Sequence, residues 1–287
     1  MRVSVVIVNW NTRDLLRNCL QTLLQQKKVK TEIIVVDNHS SDGSAAMVRQ
    51  EFPQVILLSE NHNHGYAAGN NLGFTKATGD FIVTLNPDTE LGPNVLSDAA
   101  EVLNELKYFG VLGVKQIGKD EKIQHSVRGF PTCKGIAGDL LKLNLLSSKF
   151  DTYRLSHFDY NVSQPAPQPM GTFLMFKREA LEKIAPQLHK PFDEQFPIFF
   201  NEVDLLYRLD KLNVQCWYES SVEILHLGGE STKQVRPNMI WESHRSLIRY
   251  FKKHPQSCNQ TFLPIVSAII WLGAFIRAKG VHAGFRP

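Results

Sequence analysis

Apolar positions along the chain fall first into short continuous runs. Val3-Ser-Val-Val-Ile-Val8, Glu32-Ile-Ile-Val-Val36, Val55–Leu58 and Phe81-Ile-Val-Thr-Leu85 read as strands, and the β-branched, apolar make-up of the last is the composition of a buried one. Between the first two runs the pattern changes to helical spacing. Leu15, Leu16, Cys19, Leu20, Leu23 and Leu24 keep the i, i+4, i+8 rhythm of one buried stripe, with Thr12 as the expected N-cap. Further helices are expected from Ser44 to Phe52 and after Gly73. Three strand–helix repeats feeding a fourth strand predict an α/β fold with a parallel sheet and right-handed crossovers.

Polar residues gather just past these strands. Asn9/Asn11, Asp37/Asn38 and Asn86/Asp88 follow the first, second and fourth. Tips of parallel strands lie side by side, so all three sets are expected to line one crevice, where open α/β sheets bind ligands. In the segment GDFIVTLNPDTE, Gly79–Glu90, Pro87 stops the strand and Asp88 follows it. A lone carboxylate there suits a hard cation such as Mg2+ with the phosphates it carries. A Pro-Asp type I turn, which needs no ligand, is the competing reading. The glycine-rich stretch Gly65–Gly73 lets backbone approach a ligand, or lets a helix pack closely. It is neither G-x-G-x-x-G nor G-x-x-x-x-G-K-[ST], which argues against a dinucleotide oxidoreductase and a P-loop NTPase.

Charge changes the picture at one end. The formal charge of +4 over 287 residues is mild. From Lys233 onward, however, Lys233, Arg236, Arg245, Arg249, Lys252, Lys253, Arg277, Lys279 and Arg286 face the single acid Glu242, so this tail seeks an anionic surface. The apolar run after Pro264, from Ile265 to Ile276, is shorter than the roughly 20 residues that span a bilayer. With Trp271 and basic flanks it suits a membrane interface, a helix docked on the domain, or a dimer interface. Val3–Val8 is too short for a signal-peptide core, and a cytoplasmic location is expected. Cys19, Cys133, Cys216 and Cys258 are scattered without a C-x-x-C pair, from which neither a zinc site nor a disulfide framework is expected.

Taken in order, VSVVIVNWN, VVDNHSSDGS, NHGYAAGNNLGF and GDFIVTLNPDTE closely resemble family 2 glycosyltransferases of the GT-A fold. More narrowly, they are similar to the bacterial rhamnosyltransferase-like branch that builds cell-surface polysaccharides. The likeness continues through MGTFLMFKREAL, FDEQFPIFFNEVDLLYR, the histidine of ILHLGGES and WESHRSLIRYFKKH. It implies a mixed, mainly parallel sheet flanked by helices, with a nucleotide-sugar half at 1–114, an acceptor and catalytic half at 115–235, and a basic helical extension at 236–287. Within the second half, Lys115–Pro169 has no chemistry assigned, and the stretch between the breakers Gly129-Phe-Pro131 and Pro165-Ala-Pro-Gln-Pro169 reads as an acceptor-side insertion or lid. The implied reaction is inverting transfer of a sugar, with dTDP-rhamnose as a candidate donor, from a nucleotide diphosphate sugar to a hydroxyl of a glycan or lipid-linked acceptor. Mg2+ or Mn2+ is the implied cofactor. The implied setting is the cytoplasmic face of the inner membrane, with peripheral contact through the C-terminal region, a homodimer as a further expectation, and no nucleic-acid partner.

Carried over residue by residue, the resemblance gives Asn9, Asp37 and the backbone at Val8 to the base and ribose, with Asn11 and Asn86 beside them. Asn63, Gly65 and Asn70 match the nucleotide-side loop. Asn86-Pro-Asp88 stands where many members have Asp-x-Asp, so Asp88 carries the metal, joined by His226. Asn201-Glu-Val-Asp204 matches the acidic pair before a helix. Glu202 is the expected base and Asp204 the fallback, while Asn201 and Asp204 also fit a helix cap and its capping-box partner. Two other functions compete. A nucleotidyltransferase lacks its basic phosphate loop here, since Asn9-Trp-Asn-Thr-Arg13 is not one; a non-catalytic nucleotide-sugar-binding subunit fits Asn86 and Asn201 in place of acids. The missing Q-x-x-R-W signature argues against a processive synthase.

Overall fold

The computed structural model describes residues 1–140, 147–228 and 236–279. The four apolar runs form β1 (Arg2–Asn9), β2 (Lys30–Asp37), β3 (Ile56–Ser59) and β4 (Phe81–Leu85), parallel in the order β3-β2-β1-β4. Both faces of β1 are covered, which is why its apolar run is unbroken. Val3, Val5 and Ile7 pack with Leu16, Cys19, Leu20 and Leu23 of α1 (Arg13–Leu23), while Val6 faces the opposite layer with Ala67 and Phe74 of α3 (Tyr66–Phe74). Helix α2 (Ser44–Glu51) completes the crossovers. The glycines of α3 are a packing surface. A Cβ at Gly69 would lie 2.7 Å from Val8 Cγ1, and one at Gly73 would overlap Val6.

The sheet then turns mixed. Strand β10 (Phe173–Lys177) pairs antiparallel with β4, β6 (Phe109–Ile117) follows, β11 (Gln215–His226) runs parallel to β6, and β5 (Thr89–Leu91) closes the edge antiparallel to β11. Because β5 starts four residues past β4 yet pairs with β11, the 86–88 connection crosses the ends of the intervening strands. The register sets His226 opposite Thr89, next to Asp88. Strand β8 (Gln164–Pro165) joins β11, and β7 (Val127–Arg128) with β9 (Gln168–Pro169) forms a separate ribbon. Helices α4 (Val95–Glu105), α5 (Cys133–Leu140), α6 (Arg178–Glu182) and α7 (Asn201–Lys211) lie in the connections.

Helix α8 (Arg236–Lys253) packs Leu247, Ile248, Tyr250 and Phe251 into one cluster with Phe200, Val203 and Tyr207 around α7. Helix α9 (Leu263–Ala278) lies on α8, with the Trp241 and Trp271 rings 5.7 Å apart. It buries only Leu263, Ile270 and Ala274, while Phe262, Ile265, Ile269, Leu272 and Phe275 are exposed. No described helix is long and apolar enough to cross a membrane. Lys233 and Arg286 of the basic tail, and the end of the ILHLGGES segment, lie outside the described residues.

The cysteine expectation is overturned. Cys133 and Cys258 form a disulfide across a sequence separation of 125, with Cα atoms 5.1 Å apart. The fold seats the first turn of α5 on the turn after α8, where the Cys133 amide donates to Ser257 O at 2.9 Å. Spacing along the chain carries no record of that approach.

Candidate active site

A cleft of about 510 Å3 opens at the carboxyl ends of β1, β2 and β4. Val8, Asn63 and Gly65 line one side, Asn86, Asp88 and His226 the floor, and Glu202 the far wall. Asn38 shapes the first side. Its amide donates to Asn63 Oδ1 at 2.9 Å and Gly65 O at 3.1 Å, and its oxygen accepts from the His64 amide at 2.9 Å. Gly65 adopts φ 85° against Pro197, where a Cβ would meet the Pro197 carbonyl at 2.8 Å.

Not every polar strand tip reaches the cleft. Asn9 and Asp37 are buried neighbours behind its wall, with Asn9 Nδ2 donating to Asp37 Oδ1 at 3.0 Å and Ser40 Oγ at 3.1 Å. Asn11 accepts from the Ser41 amide at 2.8 Å and holds that loop. Asn70, buried in α3, donates to Tyr66 O at 2.9 Å. Thr12 stands at the N-cap of α1, but its hydroxyl donates to Asn9 Oδ1 at 2.6 Å and caps nothing. The single crevice expected from three polar pairs is therefore lined by Asn38, Asn86 and Asp88, while Asn9, Asn11 and Asp37 brace the backbone behind it.

At the floor, Asp88 Oδ1 and His226 Nε2 are 3.6 Å apart. Both are buried, and neither has a hydrogen-bond partner among the described residues. Burial lowers the His226 pKa against the pull of the Asp88 carboxylate, which favours the neutral ring. A carboxylate oxygen facing an unprotonated ring nitrogen would fit a divalent cation's demand for lone pairs. Among the described residues no group of three or more His, Cys, Asp or Glu side chains is placed to hold a metal ion, so Asp88 and His226 stand there as a pair. On its far side His226 Nδ1 meets Gln124 Oε1 at 2.6 Å, a contact that no sequence pattern announces.

Helix α7 separates its two acids. It begins after Phe200, which is held at φ 66° with its ring beside Tyr250. Asn201 is thus the first helical residue and donates to Ile198 O at 2.5 Å, so the cap and capping-box reading of Asn201 and Asp204 does not hold. Asp204 is fully buried against Arg208, Lys253 and His254. Glu202 points to the cleft. Burial pushes its carboxyl up to about 7, although the amides of Glu202 and Val203 in the first turn pull the other way. Gly171 leaves room for it, since a Cβ there would stand 3.4 Å from Glu202 Cγ. Tyr66 also lines the cleft, its hydroxyl donating to Gly171 O at 3.3 Å. Trp10, Arg128, Tyr153 and Met239 also line it, unannounced by any sequence pattern, although Trp10 stands at a strand tip.

A mixed α/β sheet with such a cleft at its strand tips is the architecture of GT-A-type glycosyltransferases. The chain belongs to Glycosyl transferase family 2, whose profile matches residues 4–185, and is a glycosyltransferase. It is 23% identical over 264 residues to the N-acetylglucosaminyl-diphospho-decaprenol L-rhamnosyltransferase of Mycobacterium tuberculosis, covering 85% of this chain and 82% of that one. It is 28% identical over 217 residues to the GalNAc(5)-diNAcBac-PP-undecaprenol beta-1,3-glucosyltransferase of Campylobacter jejuni, covering 73% of this chain and 60% of that one. Among solved structures, the mannosyltransferase PcManGT of Pyrobaculum calidifontis, in complex with GDP-Man and Mn2+, superposes with a TM-score of 0.58 at 18% identity, covering 97% of this chain and 73% of that one. Residues 1–349 of S. aureus TarS in complex with UDP give 0.55 at 18% identity, over 97% and 81%.

Proposed function

We propose that this glycosyltransferase inverts the anomeric centre as it moves a sugar from a nucleotide diphosphate sugar to a hydroxyl of a lipid-linked glycan. One relationship carries the reading. Glu202, with its carboxyl raised to about 7, opens into the same cleft as the Asp88–His226 pair, and a general base is most effective with a pKa near the working pH. Glu202 takes the proton of the acceptor hydroxyl as that oxygen attacks the anomeric carbon. The bond from this carbon to the diphosphate breaks on the opposite face. Asp88 and His226 would hold Mg2+ or Mn2+, and a bound cation offsets the charge growing on the departing diphosphate. The GDP-Man and Mn2+ in the mannosyltransferase complex support that reading of the cleft.

Residues 1–114 then form the donor half, with Val8, Asn63, Gly65 and Asn86 facing the nucleotide and Asn9, Asn11, Asp37 and Asn70 setting their backbone. Residues 115–235 supply Glu202 and the acceptor wall. The names of both curated relatives specify a polyprenyl diphosphate acceptor, and the first specifies rhamnosyl transfer, which supports dTDP-rhamnose as a donor to try first. The 236–287 extension would meet the cytoplasmic face of a membrane. Its α9 exposes an apolar stripe beside α8, whose Asn238 and Met239 border the cleft.

The test is transfer from labelled nucleotide diphosphate sugars to a polyprenyl-diphosphate-linked acceptor, with Mg2+, Mn2+ or neither. Inverted product that depends on the cation, and is lost in Asp88→Asn, is expected. Donor binding at 100 times Kd should stabilise the protein by about 2.7 kcal/mol. Tight donor binding without turnover across a broad acceptor panel would make this a non-catalytic binding subunit.

A further inference from the structure

We infer that Gln124 is a positioning residue, which locks His226 in the tautomer that leaves Nε2 bare toward Asp88. The inference rests on the cation reading of the cleft floor. Gln124 uses both ends of its amide on one residue. Its Nε2 donates to the His226 carbonyl at 3.0 Å, and its Oε1 meets the ring Nδ1 at 2.6 Å. The first bond orients the amide, since only its nitrogen can donate to a carbonyl. The second therefore presents an oxygen to Nδ1. An amide oxygen only accepts, so Nδ1 carries the proton and Nε2 keeps its lone pair.

That lone pair faces Asp88 Oδ1 at 3.6 Å, acceptor against acceptor. With Nε2 protonated instead, His226 would donate to Asp88 and close the seat with a hydrogen bond. Gln124 holds that option off. A metal-ligating histidine needs such an acceptor on its other nitrogen to fix the ring and raise its basicity.

The backbone delivers Gln124 with little freedom. After β6 the chain reverses in a short turn, with Gly118 N donating to Lys122 O at 2.9 Å, and the Gln124 amide returns to Gln116 O at 2.8 Å. A Cβ at Gly118 would stand 3.2 Å from Gln124 Nε2, so the turn glycine leaves room for this amide. The residue comes from the stretch to which the sequence assigned no chemistry, and from a different strand end than Asp88 or His226.

The experiment uses the full chain with Gln124→Leu, which removes the acceptor at similar bulk, and Gln124→Glu, which keeps one. In metal-free protein with 15N-labelled histidine rings, wild type and Gln124→Glu should show the Nδ1–H tautomer at His226, assigned by its loss in His226→Asn. Gln124→Leu should show a mixture. Mn2+ affinity is read by electron paramagnetic resonance with dTDP, UDP or GDP present in turn. It should weaken about 10-fold or more in Gln124→Leu and be retained in Gln124→Glu. An Nε2–H tautomer in wild type overturns the inference, as does a folded Gln124→Leu that binds Mn2+ like wild type. Wild type binding no Mn2+ with any of the three overturns the cation reading, and this inference with it.

Discussion

Asp204 Oδ1 and His254 Nε2 meet at 2.8 Å in the interior, joining the helix that carries Glu202 to the end of α8. Lys253 Nζ reaches the same oxygen at 2.7 Å, and Arg208 Nε reaches Oδ2 at 2.8 Å. Two residues apart on a helix point to nearly opposite sides. With Asp204 tied into this network, Glu202 is turned to the cleft.

Replacing Asp204 should therefore unfold before it inactivates. Burial raises the Asp204 pKa, but His254, Arg208 and Lys253 together outweigh it and hold the carboxyl below its usual value. Removing one member of such a buried set costs about 3–5 kcal/mol. Asp204→Asn should lower the melting temperature sharply at pH 7. The folded pKa is depressed, so the unfolded chain binds the extra proton, and this contribution fades as pH falls below the ordinary value of 3.8. The gap between wild type and variant should close there. A stable Asp204→Asn protein without turnover would make Asp204 the base.

Glu202→Gln should depress turnover by about 100-fold or more with donor Kd near wild type. In wild type kcat/KM should fall with pH below about 7, as the base takes up its proton, and the variant's residual rate should lack that limb. Stability moves oppositely. Here the folded pKa is raised from 4.5 to about 7, so the native state binds the extra proton and wild type loses stability as pH rises across that window. Glu202→Gln should melt higher than wild type at pH 8 and alike at pH 4. Equal turnover in the two proteins would remove Glu202 from the chemistry.

Gly171→Ala tests the placement of that carboxyl. The new methyl would lie 3.4 Å from Glu202 Cγ and 3.5 Å from Cδ, at the tight edge of ordinary contact, so any shift it forces is at most a few tenths of an ångström. We expect kcat to fall about 10-fold with an unchanged melting temperature, because reaction geometry is far less tolerant than packing. A wild-type kcat would mean that the carboxyl has slack.

The α9 stripe separates membrane binding from folding. Ile269 and Leu272 are 52% and 59% exposed, so Ile269→Gln with Leu272→Gln should leave stability within about 0.5 kcal/mol. The same pair should abolish co-sedimentation with anionic liposomes. Wild-type binding should weaken with salt, because nearby basic residues each add about 1 kcal/mol at an anionic leaflet and salt screens them. No sedimentation of wild type at low salt ends the membrane reading, and stripe-dependent dimers in the ultracentrifuge would assign the face to a second copy.

The first four strands were legible as apolar runs: β1, β2 and β4 are covered on both sides, and the edge strand β3, though exposed at Ile56, keeps an apolar composition. The antiparallel insertion of β10 and the return of β5 to β11 left no such mark, since pairing between distant segments is set by register and not by spacing. Asp88 and His226 were each visible as residues, but their approach depends on that return. Gln124 was invisible for a different reason: a lone glutamine belongs to no pattern, and its meaning lies wholly in the ring it touches. The expected α7 cap fails because Phe200, its ring buried, takes a left-handed conformation that its sequence does not advertise.

The Thr89–His226 pairing also limits how this chain can vary. Side chains alternate across a strand, so an insertion or deletion of one residue between Ile224 and His226 sends His226 to the opposite face, and one in β5 breaks the register of Thr89 with it. The ladder already absorbs irregularity between Glu219 and Glu223, upstream of the paired stretch. Length changes are thus tolerable in the unpaired Ser220–Val222 stretch and ruinous between Ile224 and His226. Descendants of this gene can drift in residue identity at the cleft, but their reading of length at that edge is all or nothing.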